Sequence, residues 1–392
     1  MLFQILDNKQ ECRSVYVDGS IESQLYNNTL THTWAPTTHF FGPGIEYAQI
    51  WCNGKTLNEV CPPEIKDKWA EINKRALAYI NSLNHAKIDL NQICFYDLLP
   101  EQFLCEFYDL KNQICESVFE HYTRPANYDF MHDLLILLRK MESKNLNVQL
   151  ENLDFSNIKV RQSMSKIKDT QNKIIYDPWV TSTGRLTTQT SSFPILTLNK
   201  DLRPALEPNN DLFIELDYNS AELRVLLGLL GQDQPEEDIH TWISTNIFSN
   251  KYERDQVKKK VFAWLYNPKA KNKKLNEYFD REKVHNLFYK NGKVITPYSR
   301  ELTATPEKAV NYLVQSTASD LFLTSAIKIS KMLEGKKSYI AFCIHDSLVI
   351  DFAKEDQPII KSLIEKFSET KFDKFKTNFS VGKNFGALKR IA

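Results

Sequence analysis

The chain lacks the features that mark several common protein classes. It has no run of eighteen apolar residues, so we expect no transmembrane helix. Its first residues lack a basic segment followed by an apolar run, so we expect no signal peptide. Its seven cysteines form no CxxC pair and no paired histidines have zinc spacing, which argues against a structural zinc site. We therefore interpret the cysteines as reduced thiols and predict a cytoplasmic protein.

The chain also has few glycines and almost no net charge. It has 11 glycines in 392 residues and a net charge of +1. A balanced charge neither indicates nor excludes a nucleic-acid-binding protein, so local clusters decide the question. Lysines are concentrated at residues 258–260 and again at 269–274. Such runs most often form a solvated helix face, so this cluster alone predicts little.

The hydrophobic pattern predicts an α+β fold. Residues 14–17 and 48–51 form strand-like runs between turn residues at 42–44 and 53–54. Apolar residues then recur at helical spacing from residue 63 to 141. In the second half, the pattern predicts a strand at 212–217, helices at 221–230, 250–266 and 309–332, and a hairpin of 338–344 with 348–352. We expect an antiparallel sheet to carry the chemistry.

Asp217 ends the predicted strand 212–217, and a helix follows at once. A carboxylate at such an edge is well placed to bind a hard cation in an open site. The structural alternative is a plain helix start, in which Asn219 caps the helix and Glu222 closes a capping box. For this segment alone, the alternative is the more frequent arrangement.

The predicted helix 250–266 has chemically distinct groups at every fourth residue. Arg254, Lys258, Phe262 and Tyr266 would lie along one face. Two cations followed by two aromatic rings suit a triphosphate at one end and a base at the other. The alternative is an amphipathic helix whose basic face is merely solvated.

Asp346 lies at the tip of the predicted hairpin, between two apolar runs. A charged residue there is unfavourable unless it is solvated, paired or metal-bound. The alternative is an ordinary turn, because aspartate and serine favour turns.

The order of these motifs resembles that of the family A DNA polymerases, the bacterial polymerase I type. The family's D-Y-S-x-x-E-L-R corresponds to residues 217–224, and its fingers helix R-x-x-x-K-x-x-x-F/Y-x-x-x-Y to residues 254–266. The family's H-D-E corresponds to His345-Asp346-Ser347. The T-G-R-L, D-I-H, Q-G-T-A-x-D and V-G-x-N-W elements correspond to residues 183–186, 238–240, 315–320 and 381–385. The resemblance covers about residues 130–392.

The resemblance implies a right-hand polymerase fold with an antiparallel palm sheet and helical fingers. We predict palm and fingers at residues 181–392, with the fingers at about 233–295. Residues 126–180 would form a pre-thumb helix and a reduced thumb, because only 40 residues separate Glu142 from Thr183. Residues 1–125 would form a small α/β region in the place of the proofreading domain. This region contains no D-x-E, so we interpret it as degenerate or replaced.

The resemblance also implies primer-dependent DNA synthesis from dNTPs by two-metal nucleotidyl transfer. Two Mg²⁺ ions, with Mn²⁺ as a substitute, would bind Asp217, Asp346 and the backbone carbonyl of Tyr218, and Lys258 would assist the leaving pyrophosphate. The predicted dNTP contacts are His240, Arg254, Lys258, Phe262 and Glu222, the last as a steric gate against a 2′-hydroxyl. The predicted template and primer contacts are Tyr266, Arg185, Asn311, Gln315 and His345.

The expected partners are therefore primer-template DNA and dNTPs, bound by a monomer that contacts no membrane. The compact length and the missing proofreading motif suggest a phage or mobile-element source, with the enzyme acting in the cytoplasm of a bacterial host. Three departures from the family stand out. Ser347 replaces the final glutamate, Asn267 replaces the glycine after the fingers tyrosine, and Ala263 follows Phe262 where glycine is common.

Two other functions remain open on the sequence. Single-subunit RNA polymerases have a related fold and read H-D-S at the second carboxylate motif, but they lack counterparts of Glu222 and Phe262. A nucleic-acid-binding relic without catalytic activity is the second alternative. The presence of both Asp217 and Asp346 argues against it.

Overall fold

The structure, a computed structural model, describes residues 1–6, 14–22, 29–90, 93–168, 170–267, 270 and 272–391. The chain divides into two compact units, Met1–Ser143 and Lys144–Ala392. This division groups residues 126–143 with the N-terminal unit, whereas the sequence grouped them with the thumb. The assignment of 1–125, 126–180 and 181–392 to separate roles stays a prediction. In the described ranges, no helix is long and apolar enough to cross a membrane.

The first unit is built mainly from three long helices. Its elements are β1 (Gln4–Ile5), β2 (Val15–Val17), β3 (Ser20–Glu22), β4 (His32–Thr33), β5 (Glu46–Tyr47), α1 (Ala48–Trp51), α2 (Leu57–Val60), α3 (Lys66–His85), α4 (Glu101–His121) and α5 (Tyr128–Glu142). Strands β1, β2 and β3 form an antiparallel sheet, and β4 pairs with β5. Buried Trp69, Phe103 and Tyr108 lie in its core. The predicted helical region 63–141 is thereby confirmed.

One predicted element of the first unit was wrong. Residues 48–51 form helix α1 instead of a strand, and the backbone N–H of Cys52 donates to the carbonyl of Ala48. Ala48 and Ile50 are buried while Gln49 and Trp51 are less so, an alternation typical of a strand. Over four residues, one helical turn and a short strand have similar hydrophobic patterns.

The cysteine prediction was correct in part. Among the described residues, the free thiols are Cys52, Cys61, Cys105, Cys115 and Cys343. Cys94 is disulfide-bonded, so the interpretation of all the cysteines as reduced thiols was wrong. Spacing in the sequence reveals metal-binding pairs, but a disulfide depends on which sulfurs the fold brings together.

The second unit contains the antiparallel sheet that the sequence predicted. Its elements are β6 (Asn147–Val148), α6 (Ile158–Ser163), α7 (Ser165–Lys168), β7 (Tyr176–Asp177), β8 (Thr187–Thr188), β9 (Leu206–Glu207), β10 (Leu212–Tyr218), α8 (Ala221–Leu230), α9 (Ile239–Asn246), α10 (Arg254–Tyr266), α11 (Lys273–Tyr278), α12 (Arg281–Phe288), β11 (Tyr289–Lys290), β12 (Lys293–Ile295), β13 (Glu301–Thr303), α13 (Pro306–Met332), β14 (Tyr339–Ile344), β15 (Ser347–Phe352), α14 (Ile360–Ser368), β16 (Glu369–Thr370), β17 (Asp373–Lys374), β18 (Thr377–Gly382) and β19 (Lys389–Arg390). The main sheet has the order β14-β15-β10-β18-β19.

Strand β10 lies in the middle of this sheet, and its two faces differ. Leu216 and Tyr218 are buried, whereas Glu215 and Asp217 are half-buried, as expected when successive side chains alternate between faces. Tyr218 stacks on Phe367 of α14 at 4.4 Å, and its hydroxyl donates to the Phe367 carbonyl at 2.5 Å. Helix α14 therefore covers one face, and the acidic residues of β10 lie on the other.

Most predicted elements of the second unit are confirmed, with differences at their ends. Helix α8 has the predicted bounds, and the hairpin β14–β15 forms around His345 and Asp346. Helix α10 begins at Arg254 and not at residue 250. Glu253 forms a capping box with Gln256, and Asn250 has a positive φ of 58°, which a helix does not allow. Between residues 144 and 180, the helices with four or more residues are the short α6 and α7.

Candidate active site

Asp217 and Asp346 come together at one end of the β10–β15 pair. Asp217 lies opposite Ser347 in the antiparallel register, and Asp346 precedes Ser347 in the hairpin tip. The tip turns through His345, whose φ is 56°. Burial raises the pKa of the Asp217 carboxyl to about 7, and the negative charge of Asp346 adds to this effect. Burial likewise raises the pKa of Asp346.

These two carboxylates fit a divalent cation. Like charges at one half-buried edge repel each other, and a bound cation would relieve that repulsion. Asn378 Nδ2 donates to Asp217 Oδ2 at 2.9 Å, while Asn378 Oδ1 is buried and has no hydrogen-bond partner in the described part of the chain. The same part contains no group of three His, Cys, Asp or Glu side chains arranged to hold a metal. The two aspartates therefore suit an open site that substrate oxygens or water would complete.

The start of α8 excludes the capping-box alternative. The N-cap residue is Ser220, with φ of 57° and no side-chain cap bond. The Asn219 side chain instead accepts from the Ile239 N–H at 2.9 Å and donates to Asp238 at 2.8 Å. Asn219 thus connects the β10–α8 turn to the start of α9. The alternative in which Asn219 caps α8 is excluded, because its tertiary partners compete with the local cap.

Glu222 makes two contacts to distant parts of the second unit. One carboxylate oxygen accepts from the Arg185 guanidinium and the other from the Tyr266 hydroxyl. Burial raises the pKa of Glu222, and burial together with the Glu222 charge raises that of Tyr266. This cluster joins α8, the end of α10 and the loop that precedes β8.

Helix α10 has the two faces that the four-residue spacing predicted. The rings of Phe262 and Tyr266 stack at 5.8 Å with 16° between their planes, and Lys258 Nζ lies 5.8 Å from the Phe262 ring. The aliphatic stripe of the helix, with Val257 and Val261, is fully buried. Asn311 Nδ2 on α13 donates to the Tyr266 carbonyl at 3.3 Å. The cationic and aromatic face is therefore the one left for a ligand.

Asp238 connects helix α9 to the first residue of α10. Its carboxylate accepts from the backbone N–H groups of His240 and Thr241, and from Arg254 at 2.8 Å. Burial alone would raise the pKa of Asp238, but hydrogen bonds from Arg254 and Asn219 outweigh burial and hold it below its usual value.

His240 is fully buried, and its Nε2 lies 2.9 Å from Ser220 Oγ. Burial lowers the pKa of its imidazole to about 4, since the nearby Asp238 only partly offsets it. The ring is therefore neutral near pH 7. Its Nδ1 is buried and has no hydrogen-bond partner in the residues described.

A cavity of about 510 Å³ opens beside these groups. Its lining includes seven of the predicted site residues: Arg185, Glu222, Phe262, Tyr266, Gln315, His345 and Asp346. Asp217, His240, Arg254, Lys258 and Asn311 do not line it. Asp217 lies opposite Ser347, which follows the lining residue Asp346 in the chain. The other four lie on α9, α10 and α13. The side chain of Tyr218 is buried on the opposite face of the sheet.

A buried ion pair supports the loop that carries Arg185, and the sequence did not reveal it. The Arg300 guanidinium donates to both carboxylate oxygens of Asp320, at distances of 2.8 to 3.2 Å. A Cβ at Gly184 would lie 2.6 Å from that guanidinium, and the φ of Gly184 is +73°. Ser319 Oγ donates to the Gly184 carbonyl at 3.0 Å. The glycine before Arg185 was the available signal, because both its φ and its close packing require it.

The chain is similar to polymerases in sequence and in fold. A DNA polymerase I from Borreliella burgdorferi is 23% identical over 370 aligned residues, which cover 78% of this chain and 38% of that protein. This chain thus spans well under two thirds of that relative's length. No protein-family model matches the chain.

Among solved structures, the POL domain of Pol1 from M. smegmatis, in complex with DNA primer-template and dNTP, superposes with a TM-score of 0.56 and 14% identity. The match covers 74% of this chain and 76% of that chain. The predicted α+β fold with an antiparallel palm sheet is therefore confirmed.

Proposed function

We propose that this chain is a family A DNA polymerase and carries out template-directed, primer-dependent DNA synthesis from dNTPs. Its motifs, its sequence match and its fold support this proposal. One observation supports this most strongly. Asp346 lines a cavity together with Glu222, Phe262 and Tyr266, and Asp217 lies at the same end of the β10–β15 pair. A cation-binding edge, an aromatic platform and a carboxylate gate are what nucleotidyl transfer to a primer needs in one place.

Asp217, Asp346 and the Tyr218 carbonyl would hold two Mg²⁺ ions, for which Mn²⁺ could substitute. Such ions lower the pKa of a primer 3′-hydroxyl and stabilise charge on the departing pyrophosphate. In the protein, Asn378 keeps the Asp217 carboxylate oriented through its 2.9 Å hydrogen bond. Asp346 is held in the tip of the β14–β15 hairpin, and β15 pairs with β10.

The triphosphate would bind along the first half of α10. Arg254 can form two parallel hydrogen bonds with phosphate oxygens, and Lys258, one turn further, contributes a point charge and would assist the leaving group. Arg254 donates to Asp238 in the structure, so the phosphate would share or replace that partner. His240, neutral and close to Ser220, can donate or accept one hydrogen bond from the same side.

The base and the DNA would occupy the cavity itself. Phe262 would pack against the incoming base and sugar, while Tyr266, stacked on it, would lie at the templating base. Arg185, Asn311 and Gln315 would contact the minor groove, where every base pair presents acceptors. His345, exposed at the hairpin tip, would contact the primer strand.

Glu222 would exclude ribonucleotides. Its carboxylate is held by Arg185 and Tyr266, so it cannot easily move away from a 2′-hydroxyl.

The proposed partners are primer-template DNA and dNTPs. The proposal also includes that the chain acts as a monomer and in the cytoplasm. The absence of proofreading and a phage or mobile-element source remain part of the proposal.

Primer extension with Asp217→Asn and Asp346→Asn tests the proposal. Each change removes one ligand charge and leaves the fold and the DNA contacts in place. We expect extension to fall at least about a thousandfold, roughly 4 kcal/mol in activation free energy, while primer-template binding stays near wild type. The matched control is Asp373→Asn on the exposed β16–β17 turn. Near-normal extension by either variant, or an inactive wild type, would contradict the proposal.

A further inference from the structure

A third carboxylate belongs to the same strand as Asp217. Glu215 is two residues before Asp217 on β10, so both side chains lie on the same face of the sheet. It is half-buried. None of the motifs in the sequence includes Glu215.

Glu215 is held by Ser347, one of the residues that depart from the family pattern. Ser347 Oγ donates to Glu215 Oε1 at 2.8 Å, across the β10–β15 pair. In the register, Ser347 lies opposite Asp217 and Val349 lies opposite Glu215, so the contact is a diagonal one. Where the family has a glutamate in the second carboxylate motif, this chain has a short hydroxyl bonded to a glutamate from the neighbouring strand.

We propose that Glu215 is a positioning residue of the cation site, and that the Glu215–Ser347 pair supplies the negative charge which Ser347 alone lacks. The inference rests on the proposed function, because it assumes that Asp217 and Asp346 bind the cations. Glu215 acts through the two aspartates and is not itself a cation ligand. It adds negative charge to the edge of the sheet and, bonded to Ser347, keeps that charge on the face that Asp217 shares.

A purely structural role for Glu215 is the competing explanation. A half-buried carboxylate near another carboxylate is unfavourable, and one neutral hydrogen bond contributes only about 1 kcal/mol. Glutamine at this position would accept the same hydrogen bond without the repulsion. A structural role therefore predicts that Glu215→Gln is neutral or stabilising and leaves cation binding unchanged.

Binding of Mn²⁺ to the full chain separates the two explanations. Free Mn²⁺ is measured by electron paramagnetic resonance during titration of wild type and Glu215→Gln, and unfolding in EDTA is followed for both. We expect about tenfold weaker Mn²⁺ binding by the variant, because a charge is lost while the hydrogen-bond acceptor stays. Glu355→Gln, an exposed carboxylate paired with Lys337, is the matched control and should bind like wild type.

Second variants test the role of Ser347. Glu215→Gln combined with Ser347→Glu should restore Mn²⁺ binding to near wild type, since it returns one carboxylate to the same place. Ser347→Ala keeps the Glu215 charge but removes its anchor, and should weaken binding about twofold to threefold. If Glu215→Gln does not fold, the Ser347→Ala result alone decides the question, and unchanged Mn²⁺ binding by this variant would contradict the positioning role.

Wild-type Mn²⁺ affinity in Glu215→Gln, or no rescue by Ser347→Glu, would overturn the inference. Asp217→Asn distinguishes this from a failure of the proposed function. If Asp217→Asn loses both Mn²⁺ binding and primer extension while Glu215→Gln binds normally, only the role of Glu215 is wrong. If Asp217→Asn retains both, the cation site itself is wrong.

Discussion

Glu222 is the residue whose surroundings differ most from what its local sequence suggests. It stands in the first turn of α8, where a glutamate often closes a capping box. Its side chain instead connects Arg185 to Tyr266, two residues far from it in the chain. An acidic side chain with two such partners is held in place at the cavity wall.

We predict that Glu222→Ala lowers the discrimination against ribonucleotides about a hundredfold, with the fold intact, because the obstruction to a 2′-hydroxyl is removed. The measurement is the ratio of kcat/KM for dNTPs and rNTPs in wild type and variant. Glu282→Ala, which changes the first-turn glutamate of α12, is the matched control. If wild type already used both nucleotide types equally, the gate assignment would fail and the RNA polymerase alternative would gain.

His240 provides a prediction about pH. Its pKa is lowered from 6.5 to about 4 in the folded chain, so between these values the unfolded chain binds more protons. Stability should therefore decrease as the pH falls through this range, by about 2 kcal/mol between pH 7 and pH 5 from this group. Urea unfolding of wild type and His240→Gln at the two pH values measures it. Between the two pH values, the variant should lose about 2 kcal/mol less unfolding free energy than wild type. An equal loss in both proteins would show that His240 is not buried in its neutral form.

Single residues were predictable where a motif fixed their spacing, and less so where a tertiary partner decided their role. The spacing of Arg254, Lys258, Phe262 and Tyr266 identified one face of a helix. It could not show that Arg254 would bind Asp238. Nor could the sequence show that Asn219 would bind Asp238 and the Ile239 N–H at the start of α9, because both partners are distant in the sequence.

At the scale of elements, helix α10 separates its two faces cleanly. Its aliphatic stripe is buried, and its lysines 258–260 are exposed but point in different directions. Lys258 lies near the Phe262 ring at 5.8 Å, whereas Lys260 lies 4.3 Å from the ring of Tyr252. Three adjacent lysines on one helix therefore have different surroundings, and only the position on the helix distinguishes them.

This separation predicts different effects for neighbouring lysines. Lys258→Ala should lower kcat/KM for dNTPs by about 10- to 100-fold, because a charged contact to phosphate contributes about 1.5 to 3 kcal/mol. Lys259→Ala, the same change one residue along, should stay within about twofold of wild type. Steady-state single-nucleotide incorporation on one primer-template measures both. Equal losses for the two variants would indicate a general effect of charge on DNA binding.

Strands and helices were predictable in the second unit because their hydrophobic patterns are long. Strand β10 and helix α8 match the predicted ranges to within one residue. The short run 48–51 was wrong because four residues do not define a period. The start of α10 was wrong because capping by Glu253 depends on backbone angles at residues 249 and 250, which composition does not specify.

At the scale of the whole chain, the two units differ in what the sequence could predict. The second unit contains the ordered motifs and folds as they indicated. The first unit contains no sequence motif that indicates an activity. It ends at Ser143, whereas the sequence predicted a boundary at residue 125. Helix α5 is densely apolar on its own, so its pattern could not tell which unit it would pack with.

The last prediction concerns proofreading, since the family resemblance predicts that the first unit stands where family A polymerases carry a 3′–5′ exonuclease. Such a nuclease needs several carboxylates converging on two cations, starting from a D-x-E on a strand. The nearest candidates here are Asp18, in the turn between β2 and β3, and Glu22 on β3. Both are exposed, and Glu22 accepts from Ser20 Oγ at 3.0 Å. Exposed carboxylates four residues apart bind divalent cations weakly, because water competes for both.

We therefore expect the full chain to leave a mismatched, single-stranded 3′ end intact in Mg²⁺. The measurement is a gel assay on an end-labelled primer with Asp217→Asn, which removes polymerase activity, and a proofreading polymerase serves as the positive control. Asp18→Asn combined with Glu22→Gln should behave like its parent. Mg²⁺-dependent shortening that survives Asp217→Asn, co-purifies with the chain and is lost in the double variant would instead show a nuclease site on the first unit, built from carboxylates that the family pattern does not predict.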